Sequence, residues 1–356
     1  MTLPYDDEAH PKISAREFLR ALILIPRLWA IFFIVSAVWI FSVTHLLMCL
    51  LFNLRQGCSG LLSSTVGSGN LRVHFIHDWL KLRPEGTYPG WLVRWHAWHR
   101  ALVLLGFRAT LWALGYLRIF IRGAPRPETT VFICNHRGII DALVLSFALD
   151  DIPVFVSGPE ILDLPFIREV AISIDVFILD ESLRSVAVPM LRKAIKSRYE
   201  TRKLVLFPRG EPSFGVEIAL WHHPRSFDVA ESPLHMQAVA LTFQGTGAFS
   251  PSWIDGGLVE LFLIVFDLAR IRTNRARVTF LPPVVPDAVV SFLPRVVAAG
   301  PAAAGPAADP RAVRDALIAA YRRDIARALE VPLVLEDGSR IMVHDVPRPA
   351  AASEKA

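Results

Sequence analysis

The sequence predicts an α/β fold, a mixed sheet covered by helices, carried on an N-terminal membrane-embedded helical segment. Three observations predict it. Residues Leu28 to Leu54 include no Asp, Glu, Lys or Arg. Through the middle of the chain, short apolar runs alternate with longer mixed segments, the signature of strands layered with helices. Over the whole chain, residues of the AVILMFWYC set make up 53%, which is apolar for a freely soluble protein. At 356 residues the chain is long enough to bury a sizeable core without disulfides or metal.

Residues 1–27 form a basic lead segment. The uncharged run 28–54 reaches roughly 40 Å as a helix, enough for one tilted membrane span and too short for two. Lys12, Arg16, Arg20 and Arg27 precede it, and Arg55, Arg72, Lys81 and Arg83 follow. That balance does not set an orientation, and a bent hairpin with both flanks on one side is the alternative to a single span. Residues 55–90 read as a linker, with Gly and Ser concentrated between Gly57 and Asn70. Trp91 to Phe120 places Arg94, Arg100, Arg108 and Arg118 among Trp91, Trp95, Trp98 and Trp112, the composition of a helix lying in a lipid headgroup layer. An ordinary amphipathic helix packed on its own domain is the competing reading. His74, His77, His96 and His99 lie in or near this region and read as amphipathic rings at the interface.

A globular domain is expected over 91–285. Its strand candidates are Ile119–Ile121, Val131–Cys134, Val154–Ser157, Val176–Leu179, Leu204–Phe207, Gln237–Phe243 and Arg277–Phe280. Helices are expected at Asp141–Ala148, Leu183–Arg202 and Gly257–Ile271. An Ala/Pro-rich linker fills 286–309, a helix is predicted over 310–330, and 331–356 is a tail.

Charge and cysteine content narrow the partners. Lys and Arg outnumber Asp and Glu by 38 to 33, with pI near 9.3 and mean hydropathy +0.41. This suits an anionic bilayer surface and gives no support for nucleic acid. Cys49, Cys58 and Cys134 form no CxxC or metal-ligand spacing, and an odd count argues against a disulfide framework. Reduced thiols place the globular part on the cytoplasmic side of a cell (inner) membrane.

One constellation carries chemistry. After the apolar run Val131-Phe132-Ile133-Cys134 come Asn135, His136 and, five residues past the His, Asp141. A histidine can take the proton of an attacking hydroxyl, and a carboxylate beside it orients the ring and stabilises the imidazolium. On a regular helix residues five apart diverge by about 140°, so a turn near Gly138 is needed for the two to meet. His223 and Asp228 repeat the spacing, but Pro224 follows at once and no apolar strand precedes. His222 and His223 read as loop residues. No G-x-S-x-G elbow is present for a serine nucleophile.

Asn135-His136-x4-Asp141, followed some 70 residues later by Leu204-Val205-Leu206-Phe207-Pro208-Arg209-Gly210-Glu211-Pro212-Ser213, resembles the NHxSxxD and FPEGTxS blocks of the glycerolipid acyltransferase family, which makes phosphatidic acid from lysophosphatidic acid. Between them, Glu160-Ile161, Pro165-Phe166 and Val176 to Asp180 are similar to that family's second block. Ala238–Phe243 and Arg277–Pro283 occupy the positions of two later strands. The resemblance covers about Trp91 to Pro286.

It implies an O-acyltransferase in which His136 is the base and Asp141 its partner. Asn135, Arg209, Gly210, Glu211 and Ser213 would contact the acceptor. The acyl group would come from acyl-CoA or acyl-carrier protein, with membrane lipids as partners and no metal or organic cofactor. The sequence departs from the pattern at Arg209 and Glu211, where the family has Glu and Thr, at Glu181 in place of Arg, and in the missing Pro of the fourth block. A non-catalytic relative serving as a lipid-binding scaffold is the alternative, and the charge changes point to an acceptor other than plain lysophosphatidic acid.

Overall fold

A computed structural model describes residues 15–55, 89–178, 203–207, 236–244, 257–270, 273–282, 310–329, 333–334 and 340–341. Its strands are β1 (Arg118–Arg122), β2 (Val131–Cys134), β3 (Val154–Ser157), β4 (Phe177–Ile178), β5 (Leu204–Leu206), β6 (Met236–Gln244) and β7 (Arg275–Phe280). They form a 7-stranded sheet in the order β1-β7-β6-β2-β5-β3-β4. The strands from β6 through β2, β5 and β3 to β4 are parallel, β7 runs antiparallel to β6, and β1 is parallel to β7. The expected mixed α/β sheet is therefore what the chain forms. A separate antiparallel ribbon joins β8 (Leu333–Val334) to β9 (Arg340–Ile341).

Burial explains the two kinds of strand. Every residue of β2 is buried, because a central parallel strand is covered on both faces and so reads as an unbroken apolar run. By contrast, β7 alternates, with Ala276, Val278 and Phe280 buried and Arg275 exposed, the period of a strand with one face on the core. At the sheet edge, β1 carries Arg118 and Arg122 at its ends, charges that discourage pairing with another chain.

The helices are α1 (Ala15–Arg55), α2 (Gly90–Ala113), α3 (Ile140–Leu149), α4 (Ile167–Ser173), α5 (Gly257–Arg270) and α6 (Pro310–Leu329), with a 3₁₀ turn at Pro159–Asp163. The helix expected at Leu183–Arg202, the 55–90 linker beyond Arg55 and before Pro89, the 286–309 linker and most of the tail lie outside the described residues. The helical stretch expected as far as Phe120 stops at Ala113. Gly115 takes a φ of 86° and Tyr116 N–H bonds back to the Leu111 carbonyl at 2.9 Å, a left-handed turn that closes the helix and frees Arg118 to start β1.

Within Ala15–Arg55, α1 is unbroken, without the turn a bent hairpin needs. Its segment Leu22–Leu51 is long and apolar enough to cross a membrane by length and composition. It also packs on the domain, against α2, α4 and α5. Val38 of α1 sits so close to Gly106 that a Cβ there would lie 2.2 Å from Val38 Cγ2. Trp39 meets Phe166 edge-to-face at 5.5 Å and donates to Glu169 at 3.2 Å. Arg27 donates to the Ala269 carbonyl at the end of α5, satisfying an acceptor that helix ends leave open. The outward sides of these helices expose Trp29, Phe32 and Phe33 on α1, Trp98, Leu105 and Trp112 on α2, and Phe262 and Leu263 on α5.

Two of the arginines expected at lipid headgroups are engaged elsewhere. Arg100 pairs with Asp151 and donates to the Ile152 carbonyl, and Arg108 pairs with Asp150. Both reach the turn after α3, so this face of α2 is fixed to its own domain, while Trp91, Trp98 and Trp112 are exposed and Trp95 is half-buried.

Candidate active site

Parallel neighbours leave a sheet at the same edge, and β2 and β5 are neighbours in register, with Ile133 beside Leu206. The first motif therefore emerges next to the start of the second, at the carboxyl ends of the strands, where open α/β sheets bind their ligands. The His136 ring stacks on Phe207 with centroids 4.2 Å apart and planes 22° from parallel. Phe155 of β3 lies parallel to Phe207 on the same sheet edge, 6.4 Å away.

The turn that brings His136 to Asp141 is the one the spacing requires: Asp141 N–H bonds to the Gly138 carbonyl at 3.1 Å, just as α3 begins. Asp141 is fully buried. Its Oδ2 accepts from Arg137 N–H at 2.5 Å and Gly138 N–H at 3.1 Å, and lies 2.8 Å from His136 Nδ1. Since an ionised carboxylate only accepts, Nδ1 carries the proton and Nε2 is the ring atom that takes one. The first turn of a helix also favours a negative charge. His136 keeps 19% of its side chain exposed, so reactants can reach the ring.

Residues around the dyad refine the site. Asn135 is buried and spends its amide on Leu241, accepting from its N–H at 2.8 Å and donating to its carbonyl at 3.0 Å. It ties the end of β2 to β6. Arg137 is also buried; burial lowers its pKa, and the Asp141 charge and Tyr116 work against that. Burial, reinforced by Asp141, pushes the Tyr116 phenol well above its ordinary range. Burial, reinforced by Asp141, likewise raises the Cys134 thiol well above its ordinary range. Arg209, Gly210, Glu211 and Ser213, which follow Phe207 in the sequence, lie outside the described residues, as does Glu181.

Sequence reasoning did not single out Phe207, Tyr116 or Arg137 as parts of the site. Phe207 and Arg137 fall inside the two motifs, which is the signal that pointed to them. Tyr116 has none, because only the fold brings it within electrostatic influence of Asp141.

Residues 118–242, which run from β1 to β6, match the family model described as Acyltransferase. No curated protein matches. Among solved structures, the 1-acyl-sn-glycerophosphate (LPA) acyltransferase PlsC from Thermotoga maritima is similar over 65% of this chain and 82% of that one, with 14% identity and a TM-score of 0.39.

Proposed function

From a chain whose residues 118–242 carry an acyltransferase-family domain, we propose a membrane-bound O-acyltransferase that moves a fatty acyl group from a thioester, acyl-CoA or acyl-carrier protein, to the hydroxyl of a lysolipid or related lipid precursor. The observation that carries the proposal is the His136–Asp141 pair, 2.8 Å apart at the mouth of the parallel strands.

His136 Nε2 takes the proton of the acceptor hydroxyl as its oxygen attacks the thioester carbonyl. Asp141 holds Nδ1–H and offsets the charge of the imidazolium. When the carbon–sulfur bond breaks, the imidazolium returns its proton to the departing thiolate, so an ester and a thiol leave and the enzyme is unchanged. No redox step is required. Asp141 is a positioning residue in this scheme, and the buried backbone donors that grip it fix the ring. The exposed apolar sides of α1, α2 and α5, together with the apolar segment Leu22–Leu51, support a seat on the bilayer that holds the lysolipid acceptor. The departures at Arg209, Glu211 and Glu181 support an acceptor whose head group differs from a bare phosphate.

The test is lipid mass spectrometry on cells expressing the wild type or His136→Ala, with isolated membranes given a labelled acyl donor and a panel of lysolipids. A new acylated lipid is expected, falling by ~10²–10⁴ in rate with His136→Ala. If no acylated product depends on His136 while the protein stays folded and membrane-bound, the chain is the non-catalytic, lipid-binding relative instead.

A further inference from the structure

We infer that His45 and Cys49 of α1, with His96 of α2 and His99 beside them, form a binding site for a divalent transition-metal ion of the zinc class that clips α1 to α2. His45 and Cys49 are four residues apart, and His96 and His99 three, so each pair lies on one face of its helix. The close approach of the two helices at Gly106 and Val38 brings the faces together. One ligand atom from each of His45, Cys49 and His96 lies within 4.8 Å of the others.

Cys49 Sγ and His45 Nε2 are 3.7 Å apart. Sulfur and nitrogen bound to one tetrahedral zinc are separated by about 3.6 Å, given Zn–S near 2.3 Å and Zn–N near 2.05 Å. The His45 ring packs against His96 at 4.6 Å and stacks on His99 at 4.0 Å between centroids, so His99 lies beside the three converging donors as a packing neighbour.

Burial supplies the second line of argument. His45 is 2% exposed, Cys49 1% and His99 3%, and Cys49 is a free thiol. Nδ1 of His45 and both ring nitrogens of His99 are buried with no hydrogen-bond partner among the described residues. Unsatisfied buried nitrogens are unfavourable, and a bound cation satisfies one nitrogen of each ring that ligates it. One thiolate with imidazoles selects zinc-like ions over magnesium or calcium, which prefer oxygen. Binding converts the Cys49 thiol to a thiolate and releases one proton, leaving the imidazoles neutral.

The full chain should be purified in detergent with a tag that contains no histidine, equilibrated with zinc, dialysed and analysed for metal. About one zinc per chain is expected, falling at least tenfold in Cys49→Ser and in His45→Phe, with His136→Ala retaining it. Cobalt exchanged into the wild type should give a thiolate-to-cobalt charge-transfer band and the visible bands of tetrahedral coordination. The inference is overturned if folded wild type retains no zinc, or if both variants retain as much as wild type. Should the variants fail to fold, the cobalt spectrum decides: absence of the thiolate band overturns the site and leaves a packed histidine cluster.

Discussion

The sheet edge at His136 and the helical flank of this protein fix their histidines in opposite ways. At the edge, His136 and Asp141 are five residues apart, and the groups that fix them belong to the same short loop: the Arg137 and Gly138 N–H groups hold the carboxylate, and the carboxylate holds the ring. On the flank, His45 meets His96 and His99 only because two helices far apart in sequence pack face to face. The edge is built from backbone and tolerates little change in chemistry. The flank is built from side-chain packing and tolerates little change in volume. Substitutions separate the two by which measurement they move.

The largest effect belongs to the edge. In Asp141→Asn an amide oxygen at the Oδ2 position still accepts from Arg137 and Gly138 N–H and from His136 Nδ1, since all three contacts go to Oδ2, but the negative charge is lost. In the proposed mechanism the imidazolium formed when Nε2 takes a proton then has no carboxylate to offset its charge. A fall of ~10²–10⁴ in kcat is expected with little change in KM, and with a melting temperature close to wild type. An unchanged kcat would mean that Asp141 only braces the loop.

This division also explains what was legible in the sequence. Runs of apolar residues located the seven strands of the main sheet because burial on one or both faces writes itself into local periodicity, and Val131–Cys134 and Val154–Ser157 have the expected bounds. The His136–Asp141 pair was legible because both residues and the turn between them lie in one stretch. Strand order was not, since nothing local says that β1 joins the sheet beside β7 or that Tyr116 approaches Asp141. His99 reads in sequence as an interfacial ring among tryptophans; the structure buries it against His45, a residue with no signal of its own inside the apolar run. Arg100 and Arg108 misled for the same reason, their partners Asp150 and Asp151 being remote in sequence.

The flank should fail first through volume. Gly106→Leu drives a side chain into Val38, which already stands 2.2 Å from where a Cβ would be, and overpacking of this kind costs about 1–3 kcal/mol. Thermal unfolding in detergent should show the loss, while the rate per folded molecule holds near wild type. Adding Val38→Ala should recover part of it. If Gly106→Leu abolished turnover without lowering stability, the flank and the edge would be more tightly linked than the separation of their contacts indicates.

The smallest effect tests the joint where α1 meets α4. Trp39→Phe keeps an aromatic ring against Phe166 but deletes the hydrogen bond from Nε1 to Glu169, for a loss of about 0.5–1.5 kcal/mol. Burial alone would raise the Glu169 pKa; the hydrogen bonds from the Arg168 side chain, its own backbone and Trp39, with the Arg168 charge, outweigh it, so the net shift is downward. A carboxyl whose folded pKa is lowered contributes stability above its unfolded pKa and loses it as pH falls through the folded value. The gap in melting temperature between wild type and Trp39→Phe should therefore be widest near neutral pH and narrow on acidification, as protonation of Glu169 weakens the acceptor that Trp39 uses. A gap that stays constant with pH would assign the loss to ring packing against Phe166 rather than to the hydrogen bond.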